Sequence, residues 1–198
     1  MVEHPKHSLK GYEVLLCVTG GIAAYKSADL ASKLTQAGAG VSVAMTEAGR
    51  QFVAPLTFQT VTGRCVYTSL WQSVASYNVK HVSLTDLADL MVIAPATADM
   101  LAKMTHGLAD DLVSTLALAV WGKCDILVAP AMNSMMWAAP ATVANMATLR
   151  DRGVHVVGPD QGRLACGDEG VGRMSEPDEI LTVIGKLLKR QEPKNQDL

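Results

Sequence analysis

Four short segments set small residues and hydroxyls directly after an apolar, β-type run: Thr19-Gly20-Gly21-Ile22, Thr46-Glu47-Ala48-Gly49, Pro95-Ala96-Thr97-Ala98-Asp99 and Pro130-Ala131-Met132-Asn133. Backbone amides in such loops, close to helix N-termini, can cradle a phosphate. Three further side chains could do chemistry: the imidazole of His81, the amide of Asn133 and the thiol of Cys166. Cys166 stands in Leu164-Ala165-Cys166-Gly167-Asp168-Glu169-Gly170-Val171-Gly172-Arg173-Met174, where three glycines fall within six residues. Such a segment suits a lid, and a thiol on it can be reached by a substrate.

Each feature also has a plainer reading. Gly20-Gly21 alone is a tight turn, and the two Pro-Ala segments are strand stops followed by helix starts. His81 can pack or cap, Asn133 can turn the chain, and Cys166 can be a loop thiol. The first loop is no standard nucleotide motif: it lacks the third glycine of GxGxxG. Lys26-Ser27 resembles the end of a P-loop, but Tyr25 stands where that motif needs glycine. What favours chemistry is that all four loops are expected at one edge of a sheet.

That edge follows from the elements. Glu13–Thr19, Val41–Met45, Asp89–Ala94, Asp125–Ala129 and Val154–Val157 read as strands, the third and fourth ended by Pro95 and Pro130. Helical spacing predicts helices over Ile22–Gln36, Thr97–His106, Asp110–Trp121, Pro140–Arg152 and Pro177–Lys189, with a helix broken around Pro55 between Glu47 and Thr62. Cys65–Lys80 reads as loop with one short strand, and Gly158–Met174 as a Gly-rich loop. Strands alternating with helices, the strands nearly all apolar, predict an α/β three-layer sandwich on a parallel sheet. In such a fold ligands sit beyond the carboxyl ends of the strands.

The 198 residues predict one domain, with a core over about 12–190 and a charged, frayed tail over 191–198. Apolar residues make up 49% and charged residues 18%, which excludes a disordered chain. With 17 Lys and Arg against 19 Asp and Glu, the formal charge of −2 argues against a nucleic-acid binder and gives no reason to expect a membrane surface. The charge-free run from Ile126 to Leu149 is broken by Pro130, Asn133, Ser134, Pro140 and Asn145, so it does not read as a membrane span. Cys17, Cys65, Cys124 and Cys166 form no CxxC, so no metal site is expected; Cys17 and Cys124 read as buried thiols. With no secretory signal, the expected compartment is the cytoplasm.

Taken together, VTGGIAAYKSADL, HVSLTDLADLMVIAPATADML, HGLADDL, APAMNSMMW and LACGDEGVGRM resemble the flavin-dependent cysteine decarboxylases, over about Tyr12 to Ile184. The resemblance implies a flavodoxin-like (Rossmann-like) fold that binds FMN. It implies that Gly20, Gly21, Ile22 and Thr46 hold part of the FMN, with Thr97, Ala98, Asp99 and Met100 matching the family's Ser-Ala-Asn-Thr stretch and Ala131 at the flavin. It places Met132 and Asn133 at the substrate, Asn133 on its carboxylate, and makes His81 and Cys166 the catalytic pair, Cys166 on a flexible clamp. Asp99 departs from the family's Asn and puts a negative charge near an anionic cofactor; Thr97 for Ser is a mild change.

The implied activity is decarboxylation of 4′-phosphopantothenoylcysteine to 4′-phosphopantetheine in coenzyme A biosynthesis. Relatives that act on peptides ending in cysteine typically lack the clamp cysteine, so Cys166 favours the small substrate. The alternatives are such a peptidyl-cysteine decarboxylase, or a non-catalytic flavin-fold regulator. The implied assembly is a homotrimer or a homododecamer of trimers. Many bacterial versions continue into a synthetase domain, so either phosphopantothenoylcysteine synthetase is a separate protein or the enzyme serves another pathway. The apolar stretch Met132, Met135, Met136 and Trp137 suits an interface and equally suits a core.

Overall fold

The computed structural model describes residues 8–71, 80–163, 167 and 169–194, without the side chains of 80–83. In chain order the elements are β1 (Glu13–Val18), α1 (Ala24–Gln36), β2 (Gly40–Met45), α2 (Glu47–Arg50), α3 (Pro55–Thr62), β3 (Val66–Tyr67), α4 (Lys80–Leu87), β4 (Leu90–Ala96), α5 (Ala98–His106), α6 (Leu112–Ala119), β5 (Asp125–Pro130), α7 (Ser134–Ala138), α8 (Pro140–Asp151), β6 (His155–Val156), β7 (Asp160–Arg163), β8 (Glu169–Arg173) and α9 (Pro177–Leu188). Among the described residues β1 to β6 form one parallel sheet in the order β3-β2-β1-β4-β5-β6. The order reverses between β1 and β4, so the crevice where helices diverge opens between those two strands.

Alternate residues of the central strands feed two cores, as the period of a strand requires. Val14, Leu16 and Val18 of β1 face one core, with Leu30 and Leu34 of α1, Phe58 of α3 and Ile180, Ile184 and Leu188 of α9. Leu15 and Cys17 face the other, with Leu84 of α4, Met100 and Leu101 of α5, Leu112 and Leu116 of α6 and Met146 and Leu149 of α8. Helices on both faces make the three-layer sandwich that the βα alternation predicts, of the flavodoxin-like (Rossmann-like) class that the resemblance implies. No helix among the described residues is long and apolar enough to cross a membrane.

Several local expectations need correction. Gly158–Met174 is not all loop: β7 and β8 pair antiparallel, Arg163 opposite Glu169 and Gly162 opposite Gly170. This hairpin stands off the main sheet and buries no apolar face, so it leaves no alternating hydrophobic pattern to read. The short helices α4 and α7 were likewise not predicted. Pro95 does not end β4, which continues to Ala96 through a register shift against β5. The start of the tail is anchored: Gln191 Nε2 donates to Asp89 O at 2.7 Å, and Lys194 donates from its backbone N–H to Asp89 Oδ1 at 2.9 Å and from Nζ to Ala88 O at 2.6 Å. Cys17 is buried, while Cys124 is only half-buried.

Candidate functional site

Two strand ends are stitched together at the crevice. Thr19, buried just after β1, donates its hydroxyl proton to Pro95 O at 2.6 Å and accepts from the Thr97 N–H at 3.3 Å. The chain then turns through Gly20-Gly21 into α1, with Gly21 N–H bonded to Thr19 O and Ala24 N–H to Gly21 O. Gly20 lies so close to the second loop that a Cβ there would collide with the methyl of Ala48. Thr46 caps α2 by accepting from Gly49 N–H at 3.0 Å. Thr97 caps α5 by accepting from Met100 N–H at 3.2 Å. Accepting leaves the Thr97 hydroxyl its own proton to donate.

On the far side, Ala131 N–H donates to Ala96 O at 3.1 Å, and Met132 N–H to Gly172 O of β8 at 3.0 Å. Gly172 has φ of +153°, and a Cβ there would run into the Met132 carbonyl, so only glycine lets the hairpin approach this turn. Asn133 Oδ1 accepts from Met135 N–H at 2.7 Å and caps α7. A carboxylate only accepts, so it would have to be met by the NH2 end of this amide.

These loops enclose a cleft of about 1110 Å3. Gly20, Gly21, Ile22, Thr46, Thr97, Ala98, Asp99, Met100, Ala131, Met132 and Asn133 all line it, so the four expected loops do converge at one edge. His81 lies in α4, but its side chain is outside the described residues, and so is all of Cys166. The apolar stretch after Pro130 divides. Met132 and Trp137 pack against the second core, whereas Met135 is 78% exposed and Met136 48%.

The negative charge of Asp99 was expected at the cleft, and it does line it; the cations Lys103, Lys26 and Arg173 beside it were not predicted from sequence. Lys103 sits within 3.3 Å of Asp99, 3.0 Å of Asp110 and 2.9 Å of Asp111. Burial pulls its pKa down, but its hydrogen bonds to Asp111, Asp110 and Asp99 outweigh that, so Lys103 stays charged well above the usual lysine range. Its signal was present as the Asp99–Lys103 spacing of four along a helix. Lys26, 7% exposed, donates to Met174 O at 3.0 Å and Glu176 Oε1 at 2.8 Å. Arg173 Nη1 is 3.5 Å from the same oxygen. Nothing local in sequence marks Lys26 as buried, since its partners lie some 150 positions away. Burial pushes the Cys124 thiol up to about 11 and raises Cys17 as well, so neither is a nucleophile at neutral pH. Among the described residues no cluster of His, Cys, Asp and Glu could hold a metal.

The family model described as Flavoprotein matches residues 2–189. The chain is 46% identical over 176 residues to the coenzyme A biosynthesis bifunctional protein CoaBC of Vibrio vulnificus strain YJ016, taking in 89% of this chain and 43% of that relative. It therefore spans less than half the length of the curated relative. Among solved structures it is similar to a PPC decarboxylase mutant complexed with pantothenoylaminoethenethiol, with a TM-score of 0.79 and 32% identity over 91% of this chain and 99% of that one. It is similar also to the FMN binding protein AtHal3, with a TM-score of 0.80 and 32% identity over 92% of this chain and 100% of that one.

Proposed function

The chain belongs to the flavoprotein family, and we propose that it is an FMN-dependent carboxy-lyase, converting 4′-phosphopantothenoylcysteine to 4′-phosphopantetheine for coenzyme A biosynthesis. The observation that carries this reading is the junction of three parts at one cleft: the glycine turn after β1, the capped start of α5, and the Asn133 turn bonded to the hairpin.

The cleft fits FMN. Ile22, Met100 and Ala131 give it apolar lining against which a ring can pack. The Thr97 hydroxyl and the first amides of α5 offer donors for the phosphate. Gly20 and Gly21 let the backbone pass close to the cofactor. When bound, FMN would supply a two-electron sink for the cysteine CH2–SH and a source of the same two electrons once CO2 has left.

The protein's residues do the rest. The carboxylate becomes β to a C=S group once the cysteine is oxidised, and loss of CO2 then gives an enethiolate. Asn133 holds the carboxylate through its NH2 group, oriented by the bond from Met135 N–H to its oxygen. His81 is the acid–base group of the early steps. Cys166 donates a proton as the enethiolate is reduced to the product, so the overall reaction has no net redox change. The protein works in the cytoplasm as a homotrimer, or as a homododecamer of trimers, and a phosphopantothenoylcysteine synthetase supplies its substrate.

The test is CO2 release from phosphopantothenoylcysteine against a peptide ending in cysteine, with the FMN-loaded protein. Turnover of the small substrate to 4′-phosphopantetheine supports the proposal. Turnover of the peptide alone makes the chain a peptidyl-cysteine decarboxylase, and no turnover of either makes it a binding protein.

A further inference from the structure

The β7–β8 hairpin buries little apolar surface. Its residues alternate between exposed and half-buried, with only Gly172 buried, and neither strand contributes a side chain to the two cores. Hydrophobic burial, the usual force that fixes an element, is therefore weak here. Beside Met174 and Val157, which flank the hairpin and are buried in the first core, polar anchors help to set where it stands.

Three such anchors meet at its foot. Gly172 O accepts from Met132 N–H at 3.0 Å, which ties β8 to the Asn133 turn. Ser175 Oγ donates to Asp160 Oδ1 at 2.8 Å, which closes the two ends of the hairpin on each other. Lys26 Nζ donates to Met174 O and to Glu176 Oε1, which ties the residues directly after β8 to the first turn of α1. Lys26 thus links the segment just after the hairpin to the helix that follows the glycine turn of Gly20-Gly21.

The Lys26 anchor has the marks of a positioned charge. An ammonium this buried is tolerated only when paired and hydrogen-bonded, and removing one partner of such a pair is more disruptive than losing a surface ion pair. Glu176 stands at the N-cap of α9, yet its carboxylate makes no capping bond there and turns to Lys26 instead. That hydrogen bond holds the Glu176 carboxyl below the usual glutamate range. Lys26, Met174 and Glu176 all line the cleft.

We infer that Lys26 is a positioning residue: through Met174 and Glu176 it sets the β7–β8 hairpin against the glycine turn, and so governs the late, hairpin-dependent half of the reaction. The inference rests on the decarboxylase reading for its consequence, because Cys166 lies between β7 and β8 in sequence. The placement of the hairpin itself does not depend on that reading.

The experiment uses FMN-loaded Lys26→Met, which keeps the aliphatic stem and removes the charge, with Glu176→Gln as a milder second variant. Amide exchange across 169–174 without substrate should speed up about tenfold or more in Lys26→Met, while β1 and β4 keep wild-type protection. In a single turnover both variants should still release CO2, but the yield of 4′-phosphopantetheine per CO2 should fall about fivefold or more in Lys26→Met and less in Glu176→Gln. A general loss of stability would lower CO2 and product together, so their ratio separates positioning from mere folding. Wild-type exchange at 169–174, or an unchanged product-to-CO2 ratio in Glu176→Gln and any folded Lys26→Met, overturns the inference. If wild type itself releases no CO2, the decarboxylase reading falls, and the exchange measurement still decides whether Lys26 sets the hairpin.

Discussion

Lys103 Nζ lies 3.3 Å from Asp99 Oδ2, one helical turn along α5, at the edge of the cleft where the resemblance places an anionic cofactor. The negative charge at Asp99 is thus met by a cation of the same helix. Asp110 and Asp111 share that cation, so the group as a whole stays acidic even with Lys103 in place.

Removing Lys103 therefore matters more than removing Asp99. Lys103→Met should weaken FMN binding by about tenfold at low salt, and less at high salt as the charges are screened. Asp99→Asn should bind FMN within about threefold of wild type or tighter, and Lys103→Met with Asp99→Asn should recover part of the loss. Fluorescence titration of FMN measures all three. Wild-type affinity in Lys103→Met would remove the charge argument, and a large loss in Asp99→Asn would mean that Asp99 itself contacts the cofactor.

The sheet was legible because its strands are covered on both sides and read as unbroken apolar runs, as in Leu15-Leu16-Cys17-Val18 and Met91-Val92-Ile93. The cleft loops were legible for a related reason: each follows such a run and carries a residue that caps or turns, as Thr46, Thr97 and Asn133 do. The hairpin was hidden because its pairing is carried by backbone bonds around Gly162 and Gly170, which have no side-chain signature. Lys26 was hidden because burial of a charge depends on a partner from the other end of the chain. Local pattern reports what a residue does to its own backbone, and these two features depend on distant segments.

Asn133 can be divided into its two jobs. Its oxygen caps α7, and an Asp oxygen would do the same. Asn133→Asp should keep the thermal midpoint within a degree or two but abolish CO2 release, because a carboxylate would face the substrate carboxylate in a partly desolvated site, where repulsion costs on the order of several kcal/mol. Asn133→Ala should lose the cap as well, at about 1 kcal/mol, lowering the midpoint by about 2–4 °C. Normal turnover in Asn133→Asp would take this residue out of the mechanism.

The Glu176 carboxyl gives a pH signature. Its folded pKa is depressed, chiefly by the hydrogen bond from Lys26, so the unfolded chain holds the proton more tightly. The stability it contributes is complete above the ordinary glutamate value of about 4.3 and is lost as the pH falls through the lower, folded value. Wild type should therefore be more stable than Glu176→Gln at neutral pH, and the gap between their thermal midpoints should close below about pH 4.3. A gap that is constant from neutral to acid pH would mean that the Lys26–Glu176 bond adds nothing to stability.

Cys166→Ser separates the halves of the proposed reaction. A serine hydroxyl is a far weaker acid than a thiol, so it cannot deliver the proton that accompanies reduction of the enethiolate. Oxidation of the cysteine and loss of CO2 come before that step and need His81 and Asn133 rather than the thiol. The variant should release about one CO2 per subunit in a single turnover, retain reduced flavin, and accumulate an enethiol two mass units lighter than 4′-phosphopantetheine. His81→Asn, by contrast, should release no CO2 and leave the flavin oxidised, because it fails earlier. CO2 measured alongside product mass and the flavin spectrum distinguishes the two variants. Full product from Cys166→Ser at the wild-type rate would make the thiol dispensable. If CO2 release is lost as well, Cys166 must act before decarboxylation, and the order of steps proposed for this cleft would have to be reversed.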